Sequence, residues 1–174
     1  MSPTVKIQRE PPAGTGTVRI VGIGSYVPSR ILTNQDLERM VETSDEWIRT
    51  RTGIEERHLA GPEEATSDLA CQAARRALAA AGVEPAELDL IAVGTITADR
   101  VTPSTACILQ DRLGAPRAIC FDFQAACTGL LYGLELAHGL MDRRRTCAKA
   151  LIIGAEKMSM LTNWHDRNTC VLFG

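Results

Sequence analysis

Residues 117–142 join a short apolar strand directly to an amphipathic helix, and this junction indicates the fold class of the chain. Ile119 to Phe123 form a run rich in β-forming residues, which predicts a buried strand. After Cys127, apolar residues recur at spacings of three and four, at Leu130, Leu131, Leu134, Ala137 and Met141. That spacing is typical of a helix that buries one face.

Cys127 lies where this strand gives way to the helix. The unpaired N–H groups and the positive end of the helix dipole favour a thiolate there and offer donors to an oxyanion. Small neighbours leave room for a substrate carbonyl to approach the sulfur, which makes Cys127 a candidate nucleophile. The alternative is a thiol that only packs. Packing explains the other five cysteines, Cys71, Cys107, Cys120, Cys147 and Cys170, in their apolar surroundings.

Strands and helices alternate along the rest of the chain. The sequence predicts further strands at residues 18–23, 88–95, 150–155 and 169–173, and further helices at 33–41, 65–82 and 103–114. Because the strands are apolar nearly throughout, this order predicts an α/β layered fold with a mostly parallel sheet.

The two ends of the chain differ in character. Residues 1–16 mix proline, glycine and charge without periodicity, so we expect a flexible tail and a folded part at residues 17–174. The last predicted strand ends one residue before Gly174, without a polar exit. We therefore expect this chain to form one part of a larger structure.

Composition excludes several classes of function. The net charge of −2 gives no general basic surface for nucleic acid. No stretch reaches the roughly 18 consecutive apolar residues of a membrane span. The six cysteines form no CxxC pair, and the three histidines are far apart in sequence, so we expect no metal site. The expected location is the cytoplasm.

A second candidate site lies in residues 43–58, TSDEWIRTRTGIEERH. Trp47 and Arg51 are four residues apart, so a helix places an indole and a guanidinium on the same face. One interpretation is an exposed helix on which an arginine packs against a tryptophan. The other is a site that stacks a flat base and binds its phosphates.

Several long motifs, in order, resemble the N-terminal half of β-ketoacyl-acyl carrier protein synthase III, an initiating condensing enzyme with the thiolase fold. They are GIGSYVPSRILTN (22–34), TSDEWIRTRTGIEERH (43–58), PSTACILQ (103–110), AACTG (125–129) and DRNTCVLFG (166–174). The resemblance runs from about Val18 to Gly174. It implies a thiolase-like α/β fold of which this chain forms the N-terminal half, with the C-terminal half absent.

The resemblance also implies roles for individual residues. Cys127 matches the cysteine that accepts the acyl group, and Trp47 matches a tryptophan that stacks on the adenine of coenzyme A. Arg167 matches an arginine on the adenine's other face, and Thr43 and Arg51 match residues that hold the nucleotide end. Acyl-CoA is then a substrate, and no cofactor is bound permanently. The acyl group is condensed with malonyl-acyl carrier protein.

One departure from the family concerns the second half of the reaction. The family's catalytic histidine and asparagine lie in the C-terminal half, and none of His58, His138 and His165 matches that histidine. The resemblance therefore implies that condensation needs the missing half, an acyl carrier protein and a homodimer of completed units. Two alternatives stay open: a related starter-unit acyltransferase of specialised metabolism, and a non-catalytic fragment used for assembly.

Thr102 matches a position in the family that forms the far wall of the partner subunit's acyl pocket. Enzymes restricted to acetyl primers resemble one another in carrying phenylalanine there, so the smaller threonine implies longer or bulkier primers. The plainer interpretation is that Thr102 is the N-cap of a helix that begins at Pro103.

Overall fold

The computed structural model describes residues 18–143 and 147–174. The flexible tail predicted for residues 1–16 lies outside them. The described strands are β1 (Arg30–Thr33), β2 (Glu56–Leu59), β3 (Leu90–Gly94), β4 (Ile119–Phe123) and β5 (Ala150–Gly154). The described helices are α1 (Asn34–Glu38), α2 (Asp45–Thr52), α3 (Thr66–Ala81), α4 (Thr105–Leu113), α5 (Gly129–Arg143) and α6 (Arg167–Cys170).

A parallel three-stranded sheet with the order β4-β3-β5 forms the centre of the fold. Leu90 of β3 pairs with Ile119 on one side and with Ala150 on the other, and every residue of β3 is buried. Helices α3 and α4 pack on one face of the sheet, and α5 packs on the other. The predicted α/β class and the strands at 90–94, 119–123 and 150–154 are confirmed, but only β3 is buried throughout, since Ile119 of β4 is exposed and the rest of β4 is half-buried.

A smaller unit precedes this sheet in sequence. Strands β1 and β2 pair antiparallel, and α1 and α2 lie between them in the chain. Leu37 of α1 and Ile48 of α2 are fully buried against Cys170 and Val171, which are more than 100 residues later in the sequence. This antiparallel pair forms a sheet of its own, separate from the parallel sheet.

The strand predicted at residues 18–23 is wrong. Residues 18–28 have no regular secondary structure, and Ile23 is 78% exposed. Its backbone lies on α3, since a Cβ at Gly24 would come within 2.3 Å of the Ala77 nitrogen. Among the described residues no strand pairs with this segment, so its apolar sequence alone does not make it a strand.

The strand predicted at residues 169–173 is also wrong, because this stretch contains the end of helix α6. The Asp166 side chain accepts a hydrogen bond from the Asn168 N–H at 2.9 Å and caps the helix. Cys170 and Val171 are buried while Leu172 and Phe173 are exposed. The first two residues of this run therefore end a short helix that a capping aspartate begins, and the other three lie outside it.

Helix α5 is present as predicted, but only part of its predicted buried face is covered. Leu131 is 65% exposed, and Leu130 and Leu134 are exposed too. Ala137 is buried against the sheet as predicted, and Gly133 lies beside it on the same side of the helix. The backbone of α5 lies so close to the sheet that only small residues fit between them.

Candidate active site

A strained turn presents Cys127 between β4 and α5. Ala126 has φ of +44°, which is uncommon for a residue that carries a Cβ. A 3₁₀ turn over Ala126–Thr128 follows, and the Thr128 N–H and hydroxyl both donate to the Ala125 carbonyl, at 3.1 and 2.8 Å. Such backbone strain is found preferentially at functional sites. The turn leaves Cys127 exposed immediately before the N-terminus of α5.

Glycines bring the start of α5 onto the carboxyl ends of the parallel strands. A Cβ at Gly94, the last residue of β3, would lie 3.3 Å from Gly129 and 3.1 Å from the Phe123 ring. One turn along α5, a Cβ at Gly133 would lie 2.5 Å from Ile152. Cys127 thus lies at the carboxyl edge of the sheet, where α/β proteins commonly place their ligand sites.

Exposure separates Cys127 from the other five cysteines, all of which lie within the described residues. Cys71, Cys147 and Cys170 are buried, and Cys107 and Cys120 are half-buried. Burial, together with the nearby Cys107 and Asp122, raises the pKa of Cys120 to about 11. Burial also raises the pKa of Cys170. The surroundings of Cys120 and Cys170 therefore disfavour the thiolate. Because Cys127 is exposed, it is the thiol that a substrate in solution can reach.

Two carboxylates at the same edge of the sheet hold neighbouring loops. Glu156, two residues after β5, accepts hydrogen bonds from the Ile96 N–H at 2.9 Å and from the hydroxyls of Thr95 and Thr97, at 3.1 and 2.5 Å. Asp122 of β4 accepts from the first two N–H groups of α4, at 2.7 and 2.8 Å. The sequence reasoning missed both. The one feature of the sequence that could have identified them is a polar residue at or just after the end of an apolar strand.

Trp47, Arg51 and Arg167 lie together. The guanidinium carbon of Arg51 is 4.5 Å from the centre of the Trp47 ring, and that of Arg167 is 4.2 Å from it. Helix α2 carries the first two residues and α6 carries the third, so the contact joins segments far apart in sequence. The predicted helical spacing of Trp47 and Arg51 is confirmed.

Two buried polar atoms next to this cluster have no hydrogen-bond partner among the described residues. They are Arg167 Nε and the hydroxyl of Thr43, which lies just before the Ser44 cap of α2. Buried polar groups are nearly always paired in folded proteins. Both atoms are covered in this ligand-free arrangement.

Thr102 lies in an exposed segment before α4, next to the fully exposed Val101. Its predicted role as a helix N-cap is wrong, because α4 begins at Thr105 and its N-cap residue is Ser104. The Ser104 hydroxyl accepts from the Cys107 N–H at 3.2 Å. The peptide bond between Thr102 and Pro103 is cis.

The predicted site residues fall into three places rather than one. The described contacts join Trp47, Arg51 and Arg167, and none of them links this cluster to Cys127 or Thr102. Nor does a described contact join a histidine to Cys127; His58, for example, contacts the Pro28 carbonyl at 2.6 Å.

The described residues contain no group of three or more metal-ligating side chains. No described helix is long and apolar enough to cross a membrane.

Comparison with known proteins gives consistent matches. The family described as 3-oxoacyl-(acyl-carrier-protein) synthase III matches residues 121–174. β-Ketoacyl-(acyl-carrier-protein) synthase III of Caldanaerobacter subterraneus subsp. tengcongensis is 55% identical over 155 residues, which are 89% of this chain and 46% of that protein. The chain spans about half the length of the curated relatives it matches.

Solved structures agree with this similarity. The crystal structure of 3-oxoacyl-(acyl-carrier-protein) synthase III from Aquifex aeolicus VF5 matches with a TM-score of 0.85 at 49% identity, over 89% of this chain and 50% of that one. The priming β-ketosynthase from the R1128 polyketide biosynthetic pathway matches with a TM-score of 0.86 at 37% identity, over 90% and 46%. The predicted thiolase-like fold is confirmed.

Proposed function

We propose, from the premise that this chain is homologous to half of a β-ketoacyl-acyl carrier protein synthase III, that it carries the acyl-accepting part of a condensing enzyme. The observation that carries the proposal is the exposed Cys127 on a strained turn at the N-terminus of α5. A nucleophile must be reachable and held in one orientation, and this turn provides both.

In the proposed first step, the Cys127 thiolate attacks the thioester carbonyl of acyl-CoA. The carbonyl oxygen becomes an oxyanion near the N-terminal end of α5, where the helix dipole stabilises negative charge. The tetrahedral intermediate then collapses, the bond to the coenzyme A sulfur breaks, and coenzyme A leaves as a thiolate that takes a proton from solvent. The product is an acyl thioester on Cys127.

The Trp47 cluster supports a role in binding the nucleotide end of coenzyme A. An adenine stacked between Trp47 and Arg167 would lie about 3.5–4.0 Å from the plane of each of these groups. The guanidinium is 4.2 Å from the ring centre, so Arg167 must move away before a base can enter. Arg51 and Thr43 then remain to bind the phosphates or the ribose.

The second step of the proposed reaction is condensation with malonyl-acyl carrier protein. By its resemblance to the family, this step takes a histidine and an asparagine from the half of the fold that this chain does not match. We further propose that the completed unit forms a homodimer in the cytoplasm, with Thr102 facing the partner subunit's acyl pocket. The exposed position of Thr102 supports that placement.

A second candidate is a starter-unit acyltransferase of specialised metabolism, which the likeness to the priming β-ketosynthase of the R1128 pathway supports. It shares the acyl-Cys127 intermediate and differs in the nucleophile that accepts the acyl group. The two candidates are therefore distinguished by product and not by the first step.

One experiment tests the proposal and separates these candidates. The chain is mixed with the C-terminal half of the Caldanaerobacter enzyme, and the products from acyl-CoA and malonyl-acyl carrier protein are analysed by mass spectrometry. We expect a β-ketoacyl-acyl carrier protein, and Cys127→Ala should abolish it. Acylation of Cys127 without this product would favour the second candidate, and the absence of acylation would favour a non-catalytic fragment.

A further inference from the structure

Arg57 is a buried cation with no carboxylate partner among the described residues. It lies on β2, is only 2% exposed, and has an Nε without a hydrogen-bond partner in the described part of the chain. Burial lowers its pKa, as expected when a charge leaves water. A buried charge costs several kcal/mol unless its surroundings compensate for it. A residue kept at that cost calls for a specific reason.

The guanidinium connects the first residue of α1 to the residue that follows α6. Its Nη1 donates to the Asn34 side-chain oxygen at 2.6 Å, and its Nη2 donates to the Val171 carbonyl at 3.3 Å. Val171 directly follows α6, the helix that begins with Arg167.

Asn34 extends this connection to α2. It is fully buried, and its Nδ2 donates to the Asp45 carboxylate at 2.7 Å and to the Ile54 carbonyl at 2.9 Å. Asp45 is the first residue of α2, and Ile54 lies just beyond its last turn. Asn34 therefore holds both ends of the helix that carries Trp47.

We infer that Arg57 is a positioning residue for nucleotide binding, because it sets the distance between Trp47 on α2 and Arg167 on α6. The inference rests on the proposed binding of coenzyme A at this cluster. In this inference Arg57 does not contact the ligand. It holds the two stacking groups at the separation that the ligand requires.

The shape of the side chain matters as well as its charge. A guanidinium presents its donors in a rigid planar fork and reaches two acceptors on different segments at once. A lysine has one compact ammonium group, so Arg57→Lys keeps the charge but cannot keep both contacts at the same geometry. Arg112→Lys is the matched control, since Arg112 is an exposed arginine on α4 that pairs with Asp68, outside the contacts of Arg57 and Asn34.

The test compares these variants in a Trp164→Phe background, which leaves Trp47 as the sole tryptophan of the chain. Coenzyme A affinity is measured by calorimetry, and the Trp47 environment by near-ultraviolet circular dichroism without ligand. The iodoacetamide rate at Cys127 reports on the rest of the site. We expect Arg57→Lys to weaken coenzyme A binding about tenfold, equivalent to about 1.4 kcal/mol, and to change the Trp47 signal. The Cys127 rate should be unchanged, and the Arg112→Lys control should bind coenzyme A as tightly as the parent.

The inference is overturned if Arg57→Lys binds coenzyme A as tightly as the parent, or if the Trp47 signal is unaltered. Asn34→Ala provides a second route should Arg57→Lys not fold, since it removes the bonds that connect Arg57 to α2 and leaves the bond from Arg57 to Val171 in place. Unaltered binding by that variant also overturns the inference. If the parent binds no coenzyme A but Arg57→Lys still alters the Trp47 signal, the positioning geometry stands and the proposed function fails.

Discussion

Adding one methyl group to either of two glycines of α5 should change stability by different amounts. At Gly133 a Cβ would lie 2.5 Å from the branched methyl of Ile152 and 3.0 Å from the Phe123 ring, so α5 or the sheet must shift. At Gly139, on the same helix, a Cβ meets no atom within 4 Å. Gly133→Ala and Gly139→Ala are therefore a matched pair.

The magnitude follows from two terms. Alanine is favoured over glycine inside a helix by about 1 kcal/mol, and this gain applies to both variants. Overpacking a core typically costs about 1–3 kcal/mol, and it applies to Gly133→Ala alone. Gly139→Ala should thus be stabilised by about 1 kcal/mol, and Gly133→Ala should be less stable than Gly139→Ala by about 1–3 kcal/mol.

Urea denaturation followed by circular dichroism measures both free energies of unfolding. Because the shift at Gly133 displaces the start of α5, we also expect a change in the iodoacetamide rate at Cys127 in that variant alone. Equal stabilities for the two variants would refute the close packing of α5 on β5.

Three further predictions concern the proposed ligand site, the acyl pocket and the sheet. Trp47→Ala or Arg167→Ala should each weaken coenzyme A binding by about 1–3 kcal/mol in calorimetry while the alkylation rate of Cys127 stays the same; unchanged affinity in both would remove the adenine clamp. Thr102→Phe should move the primer preference of the completed enzyme toward acetyl-CoA, and an unchanged chain-length profile would exclude Thr102 from the pocket. Asp89, whose pKa is lowered by hydrogen bonds from the N–H groups that precede β5, should stabilise the fold above its unfolded pKa of about 3.9. That stability should be lost as pH falls through the lower folded pKa, and acid unfolding of Asp89→Asn should not show the loss.

The sequence predicts the central sheet well because its strands are mostly apolar and are separated by capped helices. Leu90 to Gly94 are buried throughout, which needs no knowledge of distant residues to foresee. The segments at 18–23 and 169–173 were predicted as strands from the same apolar signal. A strand also requires a neighbour to pair with, and a local pattern does not reveal whether one is present.

Residues of the candidate site also differ in whether the local sequence predicts them. Cys127 could be predicted because a strand, small residues and a helix follow one another locally. Arg57 could not, because its partners Asn34 and Val171 are 23 and 114 residues away in sequence. Its neighbours in the chain give no sign that the guanidinium is buried. The exposed leucines of α5 were also missed, since helical spacing does not show which stripe faces the sheet.

Transfer of an acyl group to Cys127 is the most direct test of the central claim. The chain is incubated with an acyl-CoA series, and the intact mass and the modified peptide are determined by mass spectrometry. We expect an added mass of one acyl group on the peptide that contains Cys127, and none in Cys127→Ala. Acylation of Cys107 or Cys120 instead, or an unmodified chain both alone and with the completing half, would contradict the claim.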